Sequence, residues 1–232
     1  MSPATHSKAA RTRQRIIIAA AQAVNESTFD RTSLAEIATR AGLTTGAFYF
    51  HFRSKEAVAH AVIESQNAYS QTKAMATLQS GLPTLETTLR VSADFTYDIL
   101  RDPLVRAGAR LTSEVIAFDR PPMATFDGWI AFNEMLLNTG MSEGVVAPDL
   151  DVRRTAEFIV GGYTGHYIFS TLLHDLRALP ERILTMWEVF IRAYVIRDQE
   201  HWLERADELF RGRPVPALLT IDEAIEVHLG SA

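Results

Sequence analysis

Between Thr32 and Glu56 the sequence alternates helix punctuation with short apolar runs, a spacing that leaves room for little except two short helices and a tight turn. Thr32-Ser33 followed by Glu36 is a capping signature: a hydroxyl accepts from exposed backbone N–H groups while the acid favours the positive helix end. A helix from Leu34 to Ala41 follows, Gly42 supplies a left-handed stop, Thr44 caps a new start, and Thr45 to His51 form a third helix. Two short helices joined by a glycine turn are a helix-turn-helix candidate.

The charge is distributed to match. The formal net charge of −5 would by itself discourage phosphate binding, but residues 1–60 hold eight Lys/Arg against four Asp/Glu, and the other 172 residues hold 15 against 24. A basic N-terminal module therefore precedes an acidic body. The absence of cysteine removes disulfide scaffolds, thiol nucleophiles and thiolate metal sites.

Helical periodicity dominates the 232 residues, with no alternating strand pattern, repeat or low-complexity tract, so the expected class is all-α. Helix 1 is expected over about 8–25, with Ile17, Ala20, Ala21 and Val24 as its inward stripe. A longer helix runs from Ser54-Lys55-Glu56 to about Gln79. Further helices fall at 84–101, 104–118, 123–139, 151–177, 181–196 and 199–211, and the tail beyond Arg211 has no clear assignment. The basic stretch Arg11–Arg15 before Ile16–Ala21 imitates a secretory signal, but the apolar run stops at Gln22, and no run reaches the roughly 18 residues of a membrane span. A cytoplasmic protein with no membrane partner is the expectation.

With Leu34, Ile37, Ala38, Ala41, Leu43 and Phe48 turned inward, the outward face of the third helix presents Thr44, Thr45, Gly46, Ala47, Tyr49 and His51 to a major groove. Gly46 and Ala47 are small enough to let the backbone approach DNA. Tyr49, His51, Lys55, the basic helix start around Arg13, and the hydroxyls of Thr32 and Ser33 suit phosphates.

The run from Arg15 to Val62, with IAxxAGLTxGAxYxHFxSKE, resembles the DNA-binding region of the tetracycline-repressor (TetR) family of transcriptional regulators. Within that family, Gly46–Phe52 followed by Ser54-Lys55-Glu56 is similar to the γ-butyrolactone autoregulator receptors of streptomycete-type actinobacteria. The resemblance implies a homodimeric repressor that leaves a palindromic operator when a small lactone or butenolide binds its C-terminal domain. A weaker resemblance covers Asp127–Ile130, Pro148–Asp151 and Glu181–Arg192. It implies that Trp129 lines the signal pocket and that Gln66 and Thr164 are polar groups able to bond a lactone. Two positions depart from the family pattern: Thr45 stands where Lys is common, and Ser27-Thr28 where a glycine commonly ends the first helix.

Other readings compete at single residues. Tryptophan is more often core filler than ligand contact, Gln66 can face solvent, and Thr164 can bond its own helix carbonyl. Gly161, Gly162 and Gly165 lack the Lys-Ser/Thr of a phosphate loop and read as close helix packing. His166 with His174, and His201 with Glu204, have no third ligand, and Ser142 and Ser170 have no nucleophile context, so no metal, cofactor or enzymatic activity is expected.

The sequence thus predicts a DNA-binding domain over 1–54 and a ligand-binding and dimerisation domain over 55–232. The pocket is expected from Phe95, Leu111, Val115, Trp129 and Phe158, oriented by Gln66 and Thr164. The dimer interface is expected on the last long helices. The other functions in view are a receptor homologue answering an antibiotic, an efflux or catabolic regulator, and a helical enzyme or carrier with a vestigial DNA domain.

Overall fold

The computed structural model describes residues 8–113 and 123–230. Among them are eleven α-helices: α1 (Lys8–Glu26), α2 (Leu34–Arg40), α3 (Thr45–His51), α4 (Lys55–Leu78), α5 (Thr84–Arg101), α6 (Pro103–Ser113), α7 (Met123–Ser142), α8 (Val152–Leu172), α9 (Leu179–Tyr194), α10 (Gln199–Arg211) and α11 (Ile221–Gly230). No strand occurs among the described residues; a lone antiparallel bridge joins Val146 to Val195.

The chain divides into two compact units. The first holds the described residues of 1–71, 101–121 and 217–232, the second those of 72–100 and 122–216. The first unit is larger than the helix-turn-helix that ends near residue 54. Ile16, Ile17, Ile18, Ala19, Ala20, Ala21, Ala23 and Val24 are all buried, so α1 hides far more than one stripe. Three helices over some fifty residues cannot wrap a helix that is apolar nearly all round. Val58, Val62 and Ile63 of α4, Leu104, Ala107 and Leu111 of α6, and Ala224 and Ile225 of α11 complete that core. Each fully buried isoleucine there contributes about 1.5–3 kcal/mol.

Local chemistry sets the helix ends as the capping residues predict. The Ser33 hydroxyl accepts from the Glu36 N–H at 3.1 Å, and that of Thr44 accepts from the Ala47 N–H at 3.2 Å. Gly42, at φ 66°, makes the left-handed turn between them. Without a glycine, α1 stops through hydroxyls: Ser27 donates to the Ala23 carbonyl at 3.1 Å, Thr32 donates to that of Thr28 at 3.1 Å, and the two hydroxyls lie 2.9 Å apart. Arg40 then ties the end of α1 to α2, with its guanidinium on both Glu26 oxygens (2.9 and 2.6 Å) and on Glu36.

In the second unit α7 packs on α8, α8 on α9 and α9 on α10. The helix expected over 151–177 ends instead at Leu172. His174 adopts φ 52°, and a 3-10 turn over Leu176–Ala178 leads into α9, whose first turn holds Pro180. Arg182 fixes this corner, donating to the Ser170 hydroxyl (2.7 Å) and the Asp175 carbonyl (3.0 Å). The unassigned tail forms α11.

Candidate functional site

Thr44, Thr45, Gly46, Ala47 and Tyr49 are all exposed on α3, while Phe48 behind them is fully buried and Phe52 nearly so. A Cβ built on Gly46 would meet nothing within 4 Å, so this point of the helix is open to an incoming surface. His51 is half-buried, its ring edge-on to Phe50 at 5.4 Å. Phe50 itself, 85% exposed, was not among the expected contacts. Its position four residues after Gly46 puts it on the same helical face, and that spacing was the available signal. Arg13 is exposed, its guanidinium 5.0 Å over the ring of Phe52, the residue that follows α3. Ser33 is exposed but its hydroxyl serves as the α2 cap.

Two expected phosphate contacts point elsewhere. Thr32 is 2% exposed and its hydroxyl belongs to the network that ends α1. Lys55 donates to the carbonyls of Phe29 (2.8 Å) and Asp30 (3.2 Å) and stands 4.5 Å over the Phe29 ring. Its ammonium thus fastens the start of α4 to the loop before α2. Both side chains are drawn to carbonyls of the loop 27–33, Thr32 to that of Thr28 and Lys55 to those of Phe29 and Asp30.

The expected pocket residues are distributed over both units. In the second, Phe95 lies 6.0 Å from Trp129 and 5.4 Å from Tyr163, and Trp129 meets Phe132 edge-on. Tyr163 shares a 2.7 Å hydrogen bond with the Thr96 hydroxyl, and burial pushes its phenol well above the usual tyrosine range. Neither Tyr163 nor Thr96 was expected; both interrupt apolar helix faces, which is the trace they leave in the sequence. The Thr164 hydroxyl donates to its own helix at the Val160 carbonyl (2.8 Å). Phe158 is 51% exposed rather than pocket-lining, because the phase of α8 turns it outward.

In the first unit Gln66 is buried and its amide donates to the Ser70 hydroxyl at 3.0 Å. It lies so close to Gly108 that a Cβ there would fall 2.5 Å from its side chain. Leu111 is a fully buried member of the core around α1. Val115 lies outside the described residues. Of the three glycines in α8, only Gly162 makes a close approach, 3.1 Å from the Met186 sulfur to a built Cβ; Gly161 and Gly165 face open space.

Among the described residues no three potential metal ligands gather, and no helix is long and apolar enough to cross a membrane. A capped, glycine-turned pair of short helices with an exposed second helix, set in an otherwise all-helical chain, defines a helix-turn-helix protein of the nucleic-acid-binding kind.

Comparison with known proteins agrees. Residues 16–62 match the family of bacterial regulatory proteins of the tetR type, and residues 82–196 match the tetracyclin repressor-like C-terminal domain. The A-factor receptor protein of Streptomyces griseus is 30% identical over 184 residues, which is 79% of this chain and 64% of the receptor's length. The TetR-family protein CprB from Streptomyces coelicolor, solved with its operator sequence, superposes with a TM-score of 0.77 at 30% identity over 88% of this chain and 99% of its own. A γ-butyrolactone receptor described as ArpA-like gives 0.75 at 28% over 89% and 100%. The chain belongs to the TetR family of bacterial regulators.

Proposed function

We propose that this chain is a homodimeric transcriptional repressor that binds a palindromic operator and is released by a small γ-butyrolactone or butenolide signal, in control of secondary metabolism. It acts in the cytoplasm and carries no catalytic activity. The observation that carries the reading is the outer face of α3, where Gly46 and Ala47 leave room for a groove and Thr44, Thr45, Tyr49 and Phe50 surround them. The likeness to a γ-butyrolactone receptor, to the A-factor receptor and to an operator-bound regulator supports both halves of it.

Dimerisation is supported by the second unit. Phe158, Gly161, Gly165, Ile168, Phe169 and Leu172 recur at helical spacing along one exposed side of α8, and Val189 and Ile196 are exposed in and just beyond α9. An apolar stripe of that length with small residues at its centre suits a two-fold helical interface, and Phe158 is assigned to it. Two copies of α3 then read half-sites whose separation the two-fold axis sets.

For the signal, the Phe95–Trp129–Tyr163 cluster offers flat apolar surface beside two hydroxyls, the combination a small lactone with an alkyl chain needs. The α4 helix begins beside the motif at Lys55 and ends at Leu78 in the other unit, so a ligand that favours one α4 position alters operator fit with a coupling of about 1–3 kcal/mol.

The test is a gel-shift titration on DNA upstream of the chain's own gene, repeated across salt concentrations and with synthetic butyrolactones and butenolides. Retarded DNA released by a panel member is expected. Binding that no member releases assigns the protein to regulators of antibiotic or other small-molecule response, and no binding at any salt refutes the regulator.

A further inference from the structure

The α11 helix of the first unit lies beyond both matched family regions, which span residues 16–62 and 82–196. It is not loosely attached. Ala224 and Ile225 are buried in the core that α1 and α6 share, His228 bonds Asp102 at 2.8 Å, and the Leu219 N–H donates to the Arg101 carbonyl at 2.8 Å.

Its outer side is acidic and meets the basic start of α1. Glu226 pairs with Arg11, and an Asp222 oxygen lies 3.7 Å from Arg15. These arginines are four residues apart, on one face of α1, and flank Arg13 within about 3 Å along the helix axis. A carboxylate satisfies a guanidinium with the same charge-assisted bond that a DNA phosphate would supply. The charge balance follows. Segments 1–71 and 101–121 carry twelve Lys/Arg and eight Asp/Glu, a net +4, and segment 217–232 adds three acids and no Lys or Arg, leaving +1.

We propose that α11 is a built-in competitor of DNA for Arg11 and Arg15, which sets the affinity of this unit for duplex DNA below what its basic residues alone would give. This rests on the DNA-binding reading above. Both pairs are more than half exposed, so a phosphate can displace either carboxylate, yet the acids cannot diffuse away because the core side of α11 holds them in place. Affinity is thereby restrained through the backbone contacts that operator and bulk DNA share.

The test uses the full chain with Asp222→Asn and Glu226→Gln together, leaving Ile225, His228 and the Glu223 cap on Thr220 in place. Binding to the operator fragment and to a scrambled duplex of equal length is followed by fluorescence anisotropy at several salt concentrations. The variant is expected to bind both duplexes at least about fivefold more tightly at low salt, with the salt slope steeper by about 1 to 2. Adding Arg11→Gln and Arg15→Gln should cancel that gain. Affinity unchanged within about twofold, or a gain that survives loss of both arginines, overturns the proposal. A wild-type chain that binds neither duplex instead refutes the DNA-binding reading itself.

Discussion

His228 Nε2 lies 2.8 Å from Asp102 Oδ2, with the two side chains 4% and 0% exposed. The other Asp102 oxygen accepts from the Leu104 N–H at 2.8 Å, capping α6, and the Tyr69 ring of α4 packs edge-on to the imidazole at 4.5 Å. One residue of the tail thus ties the start of α6 to the body of α4. Replacing His228 by Ala leaves a buried carboxylate with one partner fewer and should cost about 2–4 kcal/mol. Urea denaturation of the variant tests this; a loss under about 0.5 kcal/mol, the usual effect of a surface substitution, would show the pair to be dispensable.

Gly46 separates folding from recognition. Alanine there meets no neighbour and suits a helix better, so Gly46→Ala should stabilise the protein by about 0.5–1 kcal/mol. Its methyl group projects from the face offered to DNA, and operator affinity should fall about tenfold, within the roughly 1–3 kcal/mol of a single base contact. Melting and anisotropy on the same sample distinguish the two effects.

Trp129 should report the signal. Trp129→Ala removes the ring stacked near Phe95 and is expected to leave operator binding intact while raising the ligand concentration for release about tenfold or more, the scale of one aromatic contact. Trp129→Phe keeps a ring and should recover most of that response. If both variants respond as the wild type does, the Phe95–Trp129–Tyr163 cluster is not the pocket.

Acid should loosen the second unit through Glu86. Arg205 holds this carboxyl below the usual range with hydrogen bonds of 2.8–3.1 Å, Arg90 adds to the effect, and partial burial opposes it. A depressed folded-state pKa means the contribution is complete above the unfolded value, about 4.3, and is lost as pH falls through the folded one. Glu86→Gln should therefore be less stable near neutrality by about 1–3 kcal/mol, and its stability should fall less steeply below about pH 4. Denaturation curves at pH 7 and at about pH 3.5 compare the two slopes.

Gly161 offers a clean way to split the dimer. Nothing in its own chain lies near it, so Gly161→Glu should leave the protomer folded while placing a charge in the centre of the α8 stripe. Light scattering on the eluting peak should give a monomer, and operator affinity should drop with it. A dimer of unchanged mass would move the interface elsewhere.

Features that depend on neighbours within a turn or two are legible in the residues alone. Ser33, Gly42 and Thr44 cap and turn the short helices through hydrogen bonds spanning three residues, so their positions fix the motif and the phase of α3. The remaining features depend on long-range packing. Thr32 and Lys55 were diverted from solvent by the carbonyls of a loop whose path is set by packing, and Phe158 was turned outward by a helix phase that a one-residue error hides. The tail has weak helical signals of its own, and α11 forms because Ile225, His228 and Glu226 find partners more than a hundred residues away in α1, the start of α6 and the surrounding core. Such contacts follow from where the chain returns in space, which local pattern does not encode.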